Sequence, residues 1–430
     1  MVSSVAMGAT ETRRAIDTVW RIEAPRVIAG VARLVRDVSI AEEIAQDALL
    51  TALEQWPHSG IPDNPGAWLM TTARHRALDR LRRERMIARH HEALGRELEM
   101  EQLSNTGQIE AGAEDEIGDD LLRLMFVACH PLLGAEARTA LTLKLLGGLT
   151  TAEIARAFLV PEATIAQRIV RAKRSLSDAQ VPFEIPRREE LPERLASVLE
   201  VIYLVFNEGY SATAGSDWMR PALCEEALRL GRVLAGLMPA EAEVHGLVAL
   251  MEIQASRTRA RLGAQGEPVL LMDQNRTLWD RLLIDRGLAS LERAEALGMA
   301  AGPYRLQAAI AACHARALSP GETDWPRIEA LYEALSRASP SPVIELNRAV
   351  AVAMAHGPEA GLELVDALAA DGALAHYHLL PSVRGDLLAK LGRWNEARAE
   401  FERAATLAQN DRERSLLLER ARAAAAARPT

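Results

Sequence analysis

Three features of this 430-residue sequence predict an all-α fold. Apolar residues recur at helical spacing along the chain, no segment shows the period-two alternation of a half-buried strand, and no Asn-Gly pair marks a hairpin. The one stretch open to a strand reading, Val198 to Phe206, lies between helical patterns and reads as a core helix. At roughly 150 residues per domain the length predicts two to four domains. Apolar residues make up 49% and charged residues 25%, the mixture of soluble proteins with buried cores, which excludes disorder throughout. Val198 to Phe206 is also the longest clear apolar run; it contains Glu200 and is too short to span a membrane. Met1 to Ile16 is polar and lacks the apolar stretch of a secretory signal. Cys129, Cys224 and Cys313 lie far apart without a Cys-x-x-Cys pair, which argues against a disulfide scaffold or a zinc finger and predicts a reduced, cytoplasmic setting.

The net charge of −9 is unevenly spread. Residues 1–90 carry 13 basic and 11 acidic groups, residues 91–120 one and ten, residues 121–180 eight and four, and the remainder 28 and 34. Two mildly basic modules are therefore separated by an acidic tether and followed by a long acidic region. Only three lysines stand against 47 arginines, a skew from which no function follows.

Taken in order, Ala41 to Trp56 is a helix whose inner stripe is Ile44, Ala48, Ala52 and Trp56. Glu42, Glu43, Gln46, Asp47 and Glu54 are left for an outer, acidic surface. In Asn64 to Met86, Asn64 caps, Pro65 starts, and Leu69, Ala73, Ala77 and Leu81 line one side. Thr71, Thr72, His75, Arg76, Asp79, Arg82 and Arg83 fall mostly on the other side, and Trp68 is placed to stack on an unpaired base. Seven arginines against Asp79 and Glu84 in residues 66–89 give a face able to bind phosphates. An acidic helix beside a basic one makes sense if one face meets a protein and the other DNA. Glu92 to Asp120 reads as a flexible linker.

Thr150 and Glu153 form a capping box opening a helix with Ile154, Ala155 and Phe158 inside. After a break at Leu159 and Val160, Pro161 suits the start of a second helix with Ile165, Ile169, Ala172 and Leu176 buried. Its opposite side presents Thr164, Gln167, Arg168, Arg171 and Arg174, with Lys173 at the edge. Two short helices with donors concentrated on the second are what a helix-turn-helix needs for reading a major groove. Leu159 and Val160 stand where many such turns carry glycine. Pro182, Pro186 and Pro192 then mark a boundary. Beyond it Gly385, Gly392, Trp394, Ala397, Phe401 and Ala404 match the tetratricopeptide pattern, with a weaker profile over Ala349 to Leu368. Such helix pairs bury their apolar faces by stacking into a solenoid.

The run Ala41-Glu42-Glu43-Ile44-Ala45-Gln46-Asp47, with Ala67-Trp68-Leu69 and Arg74 through Arg83, resembles the sigma-2 domain of extracytoplasmic-function (group IV) RNA polymerase sigma factors. Residues 120 to 178 resemble their sigma-4 domain. Glu43, where Asp is usual, and His75, where Asn is usual, depart from that pattern. The resemblance implies a sigma-2 helical bundle over residues 11–90, a linker over 91–118 and a sigma-4 helix-turn-helix domain over 119–180. A tetratricopeptide-like regulatory extension follows over 187–430. It further implies core-polymerase binding through Glu42, Glu43, Gln46 and Asp47. Contacts to the −10 element fall to Trp68, Thr71, Thr72, His75, Arg76, Asp79, Arg80, Arg82 and Arg83, and contacts to −35 to Thr164, Gln167, Arg168, Arg171, Lys173 and Arg174. The implied partners are RNA polymerase core and promoter DNA.

Phe206 to Tyr210, Leu271 to Gln274 and Ile344 to Ala349 resemble recurring signatures of the extension and are candidates for lining a ligand pocket. A protein or small-molecule regulator would act there. No His-Glu-x-x-His or Gly-x-Ser-x-Gly occurs, and neither Lys144, Lys173 nor Lys390 closes a Walker A loop, so no enzyme, cofactor or metal is expected. His90-His91 and His376-x-His378 lack partners at ligand spacing. The rival reading is a free-standing helix-turn-helix regulator with a tetratricopeptide sensor, and the two separated DNA modules argue against it.

Overall fold

The computed structural model describes residues 2–92, 113–213, 215, 217–263, 266–298 and 300–427; these are predominantly helical and contain no strand. The chain divides into two compact units, Met1–Val201 and Ile202–Thr430.

The first unit contains α1 (Val2–Val35), α2 (Val38–Ser59), α3 (Pro65–Glu92), α4 (Ala113–Ala128), α5 (Ala135–Leu145), α6 (Thr151–Phe158), α7 (Glu162–Asp178) and the opening half of α8 (Leu191–Tyr210). Asp37 caps α2 by accepting from the Ser39 and Ile40 amides at 2.7 and 2.9 Å. Asn64 caps α3 by accepting from the Ala67 amide at 3.0 Å. The stripes Ile44, Ala48, Ala52, Trp56 and Leu69, Ala73, Ala77 are buried, and α1 packs against both helices. Leu81 at the end of the second stripe is only half-buried. Phe126, Leu141, Leu143 and Leu145 continue the buried core through α4 and α5, each large side chain contributing about 1.5–3 kcal/mol of transfer free energy.

Two boundaries differ from expectation. Helix α4 starts at Ala113, inside the stretch read as linker. The rest of that stretch, residues 93–112, lies outside the described residues. The compact units divide at Val201, beyond the proline-rich break. The reason is local: Arg194 donates to the Phe126 carbonyl at 2.7 Å and Ser197 to the Cys129 carbonyl, so the start of α8 is fastened to the end of α4. Val198 to Phe206 is helical, as read.

The second unit adds α9 (Pro221–Leu237), α10 (Ala242–Ala255), α11 (Arg281–Ala296), α12 (Pro303–Arg316), α13 (Trp325–Ala338), α14 (Pro342–His356), α15 (Pro358–Asp371), α16 (Leu379–Lys390), α17 (Trp394–Leu407) and α18 (Asp411–Ala426). Helix α10 is buried on nearly every side, among α9, α11 and α12. From α12 onward each helix packs on the next. Small residues set the spacing: a Cβ on Gly385 would stand 2.9 Å from the Phe401 ring, and one on Gly361 would stand 2.4 Å from the Ala353 Cβ. Asn410 is fully buried; its amide donates to the Ala212 and Asp217 carbonyls at 3.1 and 2.9 Å while its oxygen accepts from the Arg412 and Glu413 amides, capping α18. Among the described residues no helix is long and apolar enough to cross a membrane.

Candidate nucleic-acid interface

Helices α6 and α7 meet through a turn built from local chemistry. The Thr150 hydroxyl accepts from the Glu153 amide at 3.1 Å and the Thr150 amide donates back to the Glu153 carboxylate at 2.8 Å, closing the predicted capping box. Burial pushes the Glu153 carboxyl up, but the bonds from Thr150 and Arg21 outweigh it and leave its pKa below the usual value. Leu159 takes the left-handed conformation, φ 51°, that glycine fills more cheaply, at a cost of roughly 1–2 kcal/mol. Its side chain is exposed, so the strain serves the turn and not the core.

On α7 the buried stripe is Ile165, Ile169, Ala172 and Leu176, as predicted. The outward residues are not equivalent. Arg168 is half-buried on Glu136 at 2.5 Å, and Arg174 pairs with Asp178 at 3.5 Å. Thr164 is half-buried. Gln167 and Arg171, four residues apart, are exposed and have no side-chain partner among the described residues. They are the pair on this helix most open to a base edge.

The α2–α3 pair presents charge differently. Thr71, His75, Asp79, Arg82 and Arg83 are exposed along α3, and Thr72 is half-buried. Arg82 lies 3.4 Å from Asp79. Arg76 reaches back to α2, 3.1 Å from Asp47 and 2.7 Å from the Thr51 hydroxyl. Arg80 bridges Glu43 and Glu84, each at 3.1 Å. Acidic and basic faces expected to serve separate partners thus neutralise each other in part. Trp68 is half-buried, edge-on to Trp56 with ring centroids 5.3 Å apart.

Glu42 overturns its sequence placement. Expected on the outer acidic surface, it is only 5% exposed. Its carboxylate pairs with Lys173 on α7, lies 3.8 Å from Lys144 on α5, and accepts from Gln46 at 3.1 Å. Lys173, expected at the edge of the DNA-reading face, is correspondingly turned inward. The helical wheel places Glu42 beside Ala41 and Ala45, both buried, and that side of α2 is covered by helices far away in sequence. Sequence reasoning also missed the ties around this node: Arg21 to Glu153 at 2.8 Å, Arg33 to Asp120 at 3.4 Å, and Ser177 to Asp37 at 3.3 Å. Together they hold α1–α3 against α4–α7. One signal was available: two of only three lysines in the chain converge here. Beside it opens a cleft of about 790 Å³ lined by Arg33, Arg36, Asp37, Arg123, Lys173 and Glu184.

Comparison with known proteins gives three family matches. Residues 20–86 match sigma-70 region 2, residues 123–176 match sigma-70 region 4, and residues 194–295 match a family of unknown function, DUF6596. The chain is 46% identical over 387 residues to an uncharacterized protein of Rhizobium meliloti (strain 1021), covering 90% of each. It is 31% identical over 145 residues to the ECF RNA polymerase sigma factor SigL of Mycobacterium tuberculosis, covering 34% of this chain and 76% of that one. It is 32% identical over 155 residues to the ECF RNA polymerase sigma factor SigK of Mycobacterium ulcerans, covering 35% and 78%.

Replacing Glu42 by Gln leaves Lys144 and Lys173 without a counter-charge and is expected to destabilise this unit by about 1–3 kcal/mol. Adding Lys173→Met removes one orphaned cation and restores part of the loss. Urea unfolding followed by circular dichroism measures both, and equal midpoints for wild type and Glu42→Gln would remove Glu42 as the node of the packing.

Proposed function

The chain belongs to the ECF RNA polymerase sigma factors, and on that premise we propose how its parts divide the work of initiation. Region 2 (residues 11–90) meets core polymerase through Glu43, Gln46 and Asp47 and the −10 element through the exposed side of α3. Region 4 (residues 119–180) reads −35 with Gln167 and Arg171. The observation that carries this reading is the pairing, in one chain, of a basic helix and a helix-turn-helix whose Gln167 and Arg171 face is exposed. Run-off transcription with purified core polymerase tests it. A chain that binds promoter DNA alone and gains nothing from core would be a free-standing regulator instead.

The packed arrangement is a resting state. Elements centred near −10 and −35 lie 25 base pairs apart, roughly 85 Å at about 3.4 Å per base pair. Modules joined through Glu42 and Lys173 cannot reach both. The 20 residues between Glu92 and Ala113 span up to about 70 Å when extended, enough for the modules to part. Opening exposes Lys173 and Glu42 together. The pairing of Asp47 with Arg76 and Glu43 with Arg80 acts in the same sense: a basic polymerase surface that takes the carboxylates releases the arginines for phosphate. The acidic extension, read as a tetratricopeptide-like array, modulates this cycle in the cytoplasm by taking a protein or small-molecule regulator.

Four outcomes follow from this assignment. Arg171→Ala is expected to lose about 1–3 kcal/mol of binding at −35 and to relax preference there, whereas Arg82→Ala or Arg83→Ala weakens all sequences alike and lowers the salt slope by about one. Gel-shift titrations across salt separate the two patterns.

Glu43→Arg with Asp47→Arg should weaken core binding, measured by co-purification, and raise polymerase-independent DNA binding. Helicity should hold, because exposed ion pairs of this kind contribute only about 0–1 kcal/mol each. Unchanged co-purification would move the polymerase contact elsewhere.

A short bifunctional maleimide bridging Arg21→Cys and Glu153→Cys locks α1 to α6 and is expected to abolish run-off transcription, while either single variant remains active. Full activity of the bridged protein would show that the modules work without separating.

A chain ending at residue 185 should transcribe less than full length. It loses Arg194 and Ser197 with the extension, so a second truncation ending at residue 201 tells loss of the α4–α8 fastening from loss of the extension. Equal activity of the residue-201 truncation and full length would exclude regulation in cis.

A further inference from the structure

In the second unit two arginines are buried and a third is half-buried, and Glu322 attracts Arg276 only from beyond ion-pair distance. Arg276 is 4% exposed, Arg261 is 7% exposed and Arg257 is half-buried, and none makes an ion pair among the described residues. They alternate with aromatic rings. The Arg261 guanidinium lies 3.6 Å from the centre of the Tyr210 ring, Arg257 lies 5.7 Å from Tyr210 and 5.9 Å from Trp279, and Arg276 lies 5.0 Å from Trp279. The order is Arg261, Tyr210, Arg257, Trp279, Arg276. His314, against Trp325, lies close to Arg257 and Arg276; burial first, and then those two cations, push its pKa down to about 4, so it is neutral near pH 7.

Neutral acceptors satisfy only part of this cluster. Arg276 donates to the His314 and Ala317 carbonyls at 3.0 and 2.7 Å and to the Thr323 hydroxyl at 3.1 Å. Arg261 donates to the Tyr210 carbonyl, and among the described residues Arg257 reaches only Gln254, at 3.3 Å. The buried Nε of Arg257, Nε of Arg276, Nε1 of Trp279 and Nδ1 of His314 have no hydrogen-bond partner among the described residues. Arg276, Trp279 and His314 are each more than nine-tenths buried. Guanidinium groups stay charged at any physiological pH, so two positive charges, Arg257 and Arg276, lie beside the Trp279 ring, and one N–H donor on each of these three residues is unspent among the described residues. Ring faces offset only part of the cost of burying each unpaired charge.

We propose that Arg257, Arg276 and Trp279 form a binding site for a small oxyanion, a phosphate or carboxylate group, entered at the half-buried edge formed by Arg257 and Tyr210. Such a group supplies several acceptors and the missing negative charge in one ligand, and the planar guanidinium fork matches it. Two of the three sequence segments picked out as pocket-lining reach this region: Tyr210 ends the first, and Gln274 of the second is two residues from Arg276. The third, Ile344 to Ala349, does not contribute to the cluster; its Glu345 bonds Ser336 and Arg348. The site deepens the regulatory reading of the extension and rests on it only for its consequence in transcription, because binding is read without polymerase.

The test is isothermal titration of the full chain with inorganic phosphate, acetate and citrate, each at constant ionic strength with chloride as reference. The expected result is saturable binding of at least one, with a matching rise in Tm. Phosphate alone identifies a phosphate site, and acetate or citrate alone a carboxylate site. Arg257→Gln, which removes the arginine with the weakest internal contact, should bind at least about tenfold more weakly. Should that variant not fold, Arg257→Lys keeps the charge but loses the fork, and is expected to weaken binding by about the same order. Arg398→Gln, at an exposed surface pair, should bind as wild type does. No oxyanion binding beyond chloride, saturation only near molar concentration, or equal binding by wild type and both Arg257 variants would overturn the site and leave a structural ladder of cations and rings.

Discussion

A carboxylate taken out of water must find its counter-charge inside the protein, and at Glu42 that requirement organises the first unit. The group sits on α2, but its cationic partners come from α5 and α7. No fold of α1–α3 alone satisfies it. The surrounding ties, such as Arg21 to Glu153 with the arginine 59% exposed, are partly solvated and individually weak. Burying an ion pair gains little net stability over an apolar contact, because desolvation offsets attraction. It does make the contact reversible. When the two halves part, both ions return to water and recover hydration, whereas an apolar face would be left exposed. A polar node therefore suits the opening proposed for this junction.

The same rule acts with opposite sign in the second unit. There Glu252 is buried against Arg232, but around the buried cations Arg261 and Arg276 aromatic faces and main-chain carbonyls take the place of paired carboxylates. Packing elsewhere in this unit depends on small residues. Gly287 approaches Ile253, Gly231 approaches Met251 and Gly385 approaches Phe401 so closely that an added Cβ would collide with each. Asn410 closes a different gap: buried with its amide and oxygen both bonded, it ties the start of α18 to the segment following α8. Packing thus specifies the helices, and a few polar groups fasten segments far apart in sequence.

What was legible in the sequence was local. The Thr150–Glu153 box, the Asn64 cap and the stripe of α7 each depend on residues within a single helix or its cap, and each is present. What was missed was distant. Glu42 reads as outward-facing because its covering lysines lie more than 100 residues away. The end of the first unit reads as the proline-rich break, because the bonds from Arg194 and Ser197 span 68 residues. Single arginines such as Arg257 and Arg276 look like surface residues until the tertiary fold brings Trp279 between them.

Charge balance joins these observations to function. A chain with a basic DNA-reading helix faces non-specific attraction to every phosphate backbone, and that attraction grows with each unpaired cation. Here α2 supplies the countermeasure: Asp47 and Glu43 hold Arg76 and Arg80, and Glu42 holds Lys173, so three of the cations expected to face DNA are occupied from one short stretch of one helix. The exposed pairs are cheap to break, each worth no more than about 1 kcal/mol, so a competing basic surface displaces them without unfolding anything. The buried one opens only with the whole junction. Two grades of pairing on one helix therefore match the proposed cycle, in which surface arginines held by exposed carboxylates are easier to free than Lys173, which is held by a buried one.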